Sequence, residues 1–511
     1  MPVRLWIDVE DLFEYARVNK RPSGIQRLAF EIYRAMQEEQ GTPGVAQFVR
    51  HDVARNSFRI IRWSEVASLF AKLTDLEPAP PIAPANGIAP RRPTQKFIAR
   101  WLHRVAPALR PFVIGAVLAQ VEAFRAWSRL GGAIWHGVKS RLKWRRTGGS
   151  LGRPEHPSSD AEAAVHAVNS FNDCAAPGDI LLALGSPWSH PDYATLVSAQ
   201  RQHGLRFALL VYDLIPIRRP EWCDRGLVRL FREWFKTILP LCDFVFAISQ
   251  ATATDVEAFA SETGIALPGR VLPIPIGTGF QCQPKSPGVT KRPIVAAGSY
   301  VLFVSTIEAR KNHALLFRVW RRLQEELPAE CVPILVFAGR VGWLVDDMMR
   351  QIANTDYLDG KLVVVEDPTD AELADLYRGC LFTLFPSLYE GWGLPVTESL
   401  AFGKPCIIAN RTSLPEAGGR LARTFDPDNL HDVHKIIRQT IEDRPGLARW
   451  EAEVRREFRP VPWSSTVAAI MAGLGISSES DADQIQSAKP DTPANEAGAM
   501  QNELSVHQAR P

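Results

Sequence analysis

The first half of the chain alternates short apolar runs with segments in which apolar residues recur at helical spacing. The apolar runs, which we predict to be strands, are residues 3–8, 179–184, 207–212, 244–248 and 270–276. A helix that ends near residue 37 is predicted from the apolar face Ile25, Leu28, Ala29, Ile32, Tyr33 and Met36. Ser23 and Gln26 have the spacing of a capping box, so we expect this helix to begin at Ser23.

The second half repeats the alternation after a linker with prolines and glycines at residues 284–298. Its predicted strands are residues 300–305, 334–338, 362–366, 381–385 and 405–409. Its predicted helices are residues 312–327, 370–378 and 395–402. Alternation of strand and helix predicts a parallel sheet in each half. The two halves would face a cleft, since ligands of such sheets bind at the carboxyl ends of the strands.

Residues 59–170 interrupt this pattern and are predicted to be an insertion in the first domain. Within it, residues 91–149 hold 13 Lys and Arg against one acidic residue, Glu122, with four interleaved tryptophans. This composition is typical of segments that lie on an anionic membrane surface. A packed or a disordered insertion is the alternative. Nucleic acid is not expected as a partner, because no recognition motif accompanies the basic residues.

Composition narrows the class of protein further. The 511 residues exceed the roughly 250–300 that one hydrophobic core holds, so more than one domain is expected. A net charge of +3 indicates no particular partner, and seven scattered cysteines without a C-x-x-C pair predict reduced thiols in the cytoplasm. Four acidic residues among the first 14 argue against a secretory signal, and no apolar run approaches the ~18 residues of a membrane span. The polar residues 477–511 are predicted to be a disordered tail.

The segment EGWGLPVTE, residues 390–398, carries the most chemical information. It follows a predicted strand and opens a predicted helix, so the backbone N–H groups of residues 391–394 are free to point at an anion. Glu390 and Glu398 stand on either side, an arrangement that suits a nucleotide sugar with hydroxyl groups at both ends of a diphosphate. The alternative is a glycine turn without a ligand, in which a glutamate complements the helix dipole.

Arg310 and Lys311 precede the helix predicted over residues 312–327. Positive charge is unfavourable at a helix N-terminus, and a bound diphosphate would reverse that cost. We therefore predict a diphosphate clamp. The alternative is solvent exposure with local pairing to Glu308.

Two positions in the first half are further candidates. Lys20, Arg21 and Arg27 surround the start of the first predicted helix near Gly24, which would let the first domain reach the phosphate from across the cleft. Asp213 ends a predicted strand and either takes part in catalysis or caps the next turn. For both positions, the interpretation without a ligand stays equally open.

No D-x-D motif is expected to bind a metal, and that of Asp481 and Asp483 lies in the predicted tail. Cations and helix N–H groups would then have to stabilise a leaving diphosphate, which predicts metal-independent chemistry. The loops G-x-G-x-x-G and G-x-x-x-x-G-K-[ST] are also missing, which argues against dinucleotide oxidoreductases and P-loop NTPases. Glu416, after the strand predicted over residues 405–409, is expected to order the cleft or to cap a helix rather than to catalyse.

Four segments resemble glycosyltransferase family 4, the retaining nucleotide-sugar transferases of the GT-B fold: FVSTIEARKNHALL, FAGRVGW, DAELADLYRGC and LFPSLYEGWGLPVTESLAFGKPCIIANRTSLPEAGG. The resemblance covers most of residues 3–34 and 207–463, and the E-x7-E signature of the family corresponds to Glu390 and Glu398. The stretches SGIQR and VYDLIPIRRPEW resemble the polysaccharide-assembly branch, which includes many mannosyltransferases.

The resemblance implies a role for each site residue. Glu390 would contact the transferred sugar and stabilise an oxocarbenium-like transition state, and Glu398 would hold the ribose hydroxyls. The remaining donor-binding positions would be Arg310, Lys311, Gly24, Gly391, Gly393 and Leu394. Retention would follow from front-face attack, in which the leaving phosphate helps to take the acceptor proton.

Two positions depart from the family pattern. Many members carry an arginine where this chain has Thr306, a role that Arg310 is expected to take over. Many also carry a histidine where this chain has Tyr212, which makes Asp213 the more interesting catalytic candidate.

The sequence thus predicts an α/β protein of the GT-B fold, with two Rossmann-like domains at residues 1–285 and 286–455 and a helix at 456–476 that crosses back onto the first domain. The expected function is transfer of a hexose, with mannose as the candidate, from a nucleotide-diphosphate sugar to a lipid-linked or growing glycan of a bacterial surface polysaccharide. GDP-mannose is the favoured donor, and no cofactor is expected. We expect a cytoplasmic location, with attachment to the inner face of the plasma membrane through residues 91–149 as an open question. The alternatives are another GT-B activity, such as nucleotide-sugar epimerisation, and a non-catalytic scaffold that binds membranes or sugar nucleotides.

Overall fold

A computed structural model describes residues 3–19, 21–39, 46–52, 55–74, 171–190, 192–279 and 295–476. The predictions for the basic segment 91–149, for Lys20 and for the tail 477–511 lie outside these residues. The predicted domain boundary between residues 285 and 286 also falls in a stretch that the structure does not describe.

The first domain is built on a seven-stranded sheet. Its strands are β1 Leu5–Asp8, β2 Ala46–Asp52, β3 Ser57–Ile61, β4 Ile180–Ala183, β5 Arg206–Val211, β6 Phe244–Ala247 and β7 Leu272–Pro273. Their order is β3-β2-β1-β4-β5-β6-β7, and only the β2–β3 pair is antiparallel. Strands β1 and β4 are buried along their full length, which explains their continuous apolar sequences.

The insertion begins later than the sequence predicts. Strand β3 pairs with β2 from Ser57 to Ile61, and a helix at Trp63–Thr74 follows it, so residues 59–74 belong to the first domain. The expected start near residue 59 is therefore wrong. The β2–β3 pair escaped prediction because it lies at the sheet edge, where Ala46–Asp52 is mostly half-buried and carries no apolar run.

Helices cover both faces of this sheet. They are α1 Glu10–Val18, α2 Gly24–Glu38, α3 Trp63–Thr74, α4 Phe171–Cys174, α5 Tyr193–Gln202, α6 Ile215–Arg218, α7 Arg225–Ile238 and α8 Gln250–Thr263. The capping box predicted at the start of α2 is wrong. The Ser23 hydroxyl makes no bond to a helix N–H and instead donates to the side-chain oxygen of Gln26.

The second domain has a six-stranded sheet that is parallel throughout. Its strands are β8 Tyr300–Val304, β9 Ile334–Ala338, β10 Leu362–Val365, β11 Thr383–Phe385, β12 Cys406–Ala409 and β13 Arg423–Phe425, in the order β10-β9-β8-β11-β12-β13. The helices that follow in the chain are α9 His313–Glu326, α10 Asp346–Asn354, α11 Asp356–Asp359, α12 Asp370–Gly379, α13 Leu394–Ala401, α14 Leu414–Gly418, α15 Leu430–Glu442, α16 Arg444–Glu457 and α17 Trp463–Leu474. Every helix among the described residues is too short or too polar to span a bilayer.

The last helix, α17, returns to the first domain. The Trp463 ring lies over Gly277 so closely that a Cβ there would stand 2.2 Å from it. The Thr466 hydroxyl donates to the Pro275 carbonyl at 2.8 Å, and Ile470 is part of the first-domain core. Two parallel-sheet domains joined by a returning helix form the GT-B fold, and the predicted fold class is confirmed.

Candidate active site

Glu390 lies at the centre of the site, in the loop that follows β11. Its side chain is 10% exposed, and its Oε2 accepts a bond of 2.8 Å from Arg310 Nη1. Its Oε1 accepts a bond of 2.5 Å from Lys311 Nζ. Burial alone would raise the pKa of this carboxyl, but the two cations outweigh it and lower the pKa to about 2. Glu390 is therefore ionised at neutral pH.

The two cations lie half-buried between carboxylates. Arg310 Nε lies 2.7 Å from the carboxylate of Glu308, which is 3% exposed, and Arg310 Nη1 also donates to the Tyr389 carbonyl at 2.8 Å. Burial and the neighbouring Arg310 charge lower the pKa of Lys311. Both cations lie in a 3₁₀ turn at Ala309–Lys311 that precedes α9. The pairing with Glu308 that the alternative expected is present, but the side chains of Arg310 and Lys311 are only 20% and 14% exposed.

A row of backbone N–H groups lies beside this cluster. Among the described residues, the N–H groups of residues 391–394 have no hydrogen-bond acceptor. Gly393 has φ of +107°, a conformation that favours glycine, and it caps the start of α13. The Ser413 hydroxyl bonds the carbonyls of Glu390 at 3.0 Å and Trp392 at 2.9 Å, which fixes the path of the loop. The loop therefore presents unpaired donors of the kind that bind anions at helix N-termini.

Glu398, at the other end of the loop, has different neighbours. The Tyr377 hydroxyl donates to its Oε2 at 2.8 Å. Burial raises the pKa of Glu398, while the Tyr377 hydrogen bond and the charge of Arg27 act in the opposite direction. Arg27 reaches this end of the loop from α2 of the first domain and makes a two-pronged ion pair with Asp370, at 2.7 and 2.9 Å. The first domain therefore contributes a cation here that is already paired.

Asp213 and Tyr212 belong to the first domain and lie against the loop of Glu390, next to Gly391. Asp213 Oδ1 accepts from the Ile215 N–H at 3.0 Å, so it caps the turn into α6. Burial raises the pKa of Asp213, and the nearby Arg310 charge partly offsets this. Asp213 therefore caps this turn, which is one of the two roles that the sequence left open, and its part in catalysis stays a prediction. The Tyr212 hydroxyl donates to the Leu184 carbonyl at 2.5 Å, which assigns it a structural contact inside the first domain.

The glycines allow the two domains to touch. A Cβ on Gly391 would stand 2.2 Å from the Tyr212 carbonyl oxygen, so no larger residue fits without movement. A Cβ on Gly24, the first residue of α2, would stand 3.7 Å from Leu394 Cδ1. Trp392 and Leu394 also pack against the first-domain core. The loop between the two glutamates is therefore in contact with both domains.

Sequence reasoning missed an acidic cluster at the carboxyl edge of the first sheet. Asp8 Oδ2 lies 2.9 Å from Nε2 of His51, and Asp11 Oδ2 accepts from the Ser186 N–H at 3.0 Å. Burial, with Asp8 nearby, raises the pKa of Asp11 to about 6. The signal was present as the acidic residues that directly follow the first strand, in WIDVED. Among the described residues, no group of three or more His, Cys, Asp or Glu side chains is placed to hold a metal ion.

A family model matches most of the second domain. Residues 291–457 match the family model of glycosyl transferases group 1. This range contains both glutamates, both cations and the row of free N–H groups.

Curated relatives match over longer stretches at low identity. The chain is 27% identical over 311 residues to the serotype-specific mannosyltransferase WbdA of Escherichia coli, which covers 58% of this chain and 37% of that protein. It is 24% identical over 269 residues to the O-antigen chain mannosyltransferase B of Escherichia coli, covering 50% of this chain and 68% of that protein. The chain thus spans about a third of the length of the WbdA proteins that it matches.

Solved structures match more distantly. Anabaena HepE in complex with UDP and glucose is 17% identical, with a TM-score of 0.45 over 58% of this chain and 77% of that one. The second domain is thus similar to glycosyl transferases group 1 over residues 291–457.

Proposed function

We propose that this protein is a retaining glycosyltransferase that moves a hexose from a nucleotide-diphosphate sugar to a glycan acceptor. GDP-mannose is the favoured donor. The observation that carries the proposal is Glu390, a carboxylate held ionised by two half-buried cations next to a row of unpaired N–H groups. This arrangement offers a site for a diphosphate beside a site for a developing positive charge.

The donor diphosphate would bind at the N–H groups of residues 391–394 and share Arg310 and Lys311 with Glu390. As the sugar–phosphate bond breaks, negative charge grows on the leaving diphosphate, where preorganised cations and N–H groups stabilise it most effectively. The ionised Glu390 carboxylate would face the sugar, whose ring gains positive charge in the same step. Glu398 would accept hydrogen bonds from the ribose hydroxyls.

The environment of Glu390 favours a front-face mechanism over a covalent glycosyl-enzyme. Both of its carboxylate oxygens already accept charge-assisted hydrogen bonds, and its pKa is about 2. A carboxylate so stabilised is a weak base and a weak nucleophile. The proton of the acceptor hydroxyl would therefore pass to the leaving phosphate on the same face, which retains the configuration of the sugar.

The acceptor class rests on the relatives. Both of the relatives described above are named for mannosyl transfer, and one of them for the O-antigen chain. A lipid-linked or growing glycan of a bacterial surface polysaccharide is the corresponding acceptor for this chain. The protein would act in the cytoplasm, and the basic residues 91–149 would hold it at the inner face of the plasma membrane.

Thermal shifts with GDP, UDP, ADP and dTDP, followed by a panel of the matching nucleotide sugars, test the donor. We expect GDP to give the largest shift and GDP-mannose to be consumed only when an acceptor is present. NMR of the product should show the anomeric configuration of the donor, and EDTA should leave the rate unchanged. Conversion of the nucleotide sugar without an acceptor would favour an epimerase, and an inverted product would contradict the mechanism.

Membrane attachment has a separate test. Deletion of residues 91–149 should weaken cosedimentation with vesicles that contain anionic lipid, while nucleotide binding stays intact. Unchanged cosedimentation would remove the membrane proposal without affecting the rest.

A further inference from the structure

Glu416 of the second domain caps a helix of the first domain. It lies in α14, after β12, and its Oε2 accepts from the backbone N–H of Gln250 at 2.7 Å. Its Oε1 accepts from the N–H of Ala251 at 2.9 Å. The sequence left Glu416 as a residue that orders the cleft or caps a helix, and the structure shows a cap across the domain interface.

The contact completes the first turn of α8. The helix cap Ser249 accepts from the Thr252 N–H at 3.0 Å through its own hydroxyl, so the first domain supplies one of three acceptors for this turn. The second domain supplies the other two through Glu416. An acidic group at a helix N-terminus satisfies unpaired N–H groups and complements the helix dipole.

The chain segment just before Glu416 holds the loop of Glu390. The Glu390 N–H donates to the Thr412 hydroxyl at 2.9 Å, and the Ser413 hydroxyl donates to the Glu390 carbonyl at 3.0 Å. On the other side of the interface, the Thr252 hydroxyl lies 3.2 Å from the Tyr212 carbonyl oxygen and 3.4 Å from that of Gly391. The first turn of α8 therefore contacts the second domain at Glu416 and at the donor loop.

We propose that Glu416 is a positioning residue that couples docking of the two domains to the geometry of the donor loop. With the cap in place, residues 412–416 are fixed against α8 and hold the backbone of Glu390 between Thr412 and Ser413. When the domains separate, the N–H groups of Gln250 and Ala251 return to water, and the loop loses its support from the first domain. The coupling to catalysis rests on the proposed transferase function, whereas the docking itself does not.

Two variants remove the contact from opposite sides. Glu416→Gln keeps the shape of the side chain but removes its charge and one acceptor. Gln250→Pro deletes one donor N–H at the first position of α8, where proline is well tolerated. Ser249 is extended, with φ of −159° and ψ of 162°, so it accepts a following proline. Gln250 is exposed, so the substitution disturbs no core.

Each variant should raise the donor KM about tenfold with kcat nearly unchanged, because the binding-competent arrangement becomes a smaller fraction of the population. Gln250→Pro should keep the thermal midpoint of the wild type. The double variant should be no worse than the poorer single variant, since both remove the same contact. Fully additive losses, or a lower thermal midpoint with an unchanged donor KM, would overturn the proposal.

Matched controls lie on α7, which is also 14 residues long. Asp224 caps it from within the first domain by accepting from the N–H groups of Gly226 and Leu227, at 2.8 and 3.1 Å. Asp224→Ala removes both of these bonds, and Arg225→Pro repeats the proline substitution at the first position of this helix; both should leave the donor KM at the wild-type value. An equal rise in these controls would assign the effect to helix stability.

Small-angle X-ray scattering separates this proposal from the proposed function. The Glu416→Gln protein should have a larger radius of gyration than the wild type, whether or not a sugar donor has been found. An identical radius in both proteins would contradict the docking role. A larger radius together with a wild type inactive on every donor would refute the transferase function alone.

Discussion

The two glutamates at the ends of the loop 390–398 differ in almost everything except residue type. Glu390 is bonded to two half-buried cations, which hold its pKa at about 2. Glu398 is bonded to the neutral hydroxyl of Tyr377, and burial raises its pKa. Glu390 is thus a fixed negative charge, whereas Glu398, eight positions later, is a carboxyl group that protonates more readily than usual.

The different surroundings of Glu390 and Glu398 suit the two residues to different tasks. A charge that is fixed in place stabilises an opposite charge that develops during a reaction, because the surroundings need not reorganise. A carboxyl held by a phenol suits the recognition of hydroxyl groups, which requires hydrogen bonding more than charge. Loss of Glu390 should therefore impair the chemical step, and loss of Glu398 should impair binding.

Glu390→Gln should produce the largest effect. The substitution leaves Arg310 and Lys311 without their shared carboxylate and removes the charge that we propose to face the sugar. We expect kcat to fall about 1,000-fold or more. Steady-state kinetics on protein whose folding is verified by circular dichroism check this. A kcat within tenfold of the wild type would refute the central role of Glu390.

Arg310→Lys should have the next largest effect. Lysine keeps the charge but lacks the planar fork with which Arg310 reaches Glu308, Tyr389 and Glu390. We expect kcat/KM to fall about 100-fold. Arg438→Lys is the control, since Arg438 also pairs with two carboxylates, Glu326 and Glu442, but on the surface. Equal losses in both variants would show that the effect is not specific to the site.

Glu398→Gln should act on binding. The amide still accepts from Tyr377 and from a ribose hydroxyl, but more weakly than a carboxylate does. We expect the donor KM to rise about tenfold with kcat preserved. A fall in kcat with an unchanged KM would place Glu398 in the chemical step and remove the contrast between the two ends.

The contributions of Glu390 and Glu398 to the free energy of unfolding should change with pH in opposite directions. The folded-state pKa of Glu390 lies below the ordinary value of 4.5, so its stabilisation is present above pH 4.5 and is lost as pH falls toward about 2. The folded-state pKa of Glu398 is raised, so its stabilisation is present below pH 4.5 and is lost as pH rises through that higher pKa.

Urea unfolding between pH 3 and pH 8 measures both contributions. The Glu390→Gln protein should lose less stability than the wild type on acidification, by on the order of 2–3 kcal/mol over the whole window. The Glu398→Gln protein should lose less stability than the wild type as pH rises above 4.5. The same slope in both variants would contradict the assignment of the two environments.

Those parts of the molecule whose determinants are local were predictable from sequence. Strands such as Ile334–Ala338 and Cys406–Ala409 read as apolar runs because they are buried in a parallel sheet. The row of unpaired N–H groups at residues 391–394 was predictable for a similar reason, since a glycine turn between a strand and a helix leaves N–H groups without intrahelical acceptors.

The contacts between the domains were not predictable from sequence. Glu416 and Gln250 are 166 positions apart, and Arg27 and Asp370 are 343 apart, so no local pattern links either pair. The edge pair β2–β3 was missed because half-buried strands carry a weak apolar signal. The prediction of a capping box at Ser23 was wrong because the Ser23 hydroxyl donates to the Gln26 side chain and makes no hydrogen bond with a helix N–H group.

The central claim is that the cations at Arg310 and Lys311 and the N–H groups of residues 391–394 bind a diphosphate. The most direct measurement is the affinity for the nucleoside diphosphate that gives the largest thermal shift, compared with the monophosphate of the same base. The wild type should bind the diphosphate at least about tenfold more tightly, and the Lys311→Met protein should lose most of this preference. Equal affinities for the two nucleotides in the wild type, or a preference that survives Lys311→Met, would contradict the account.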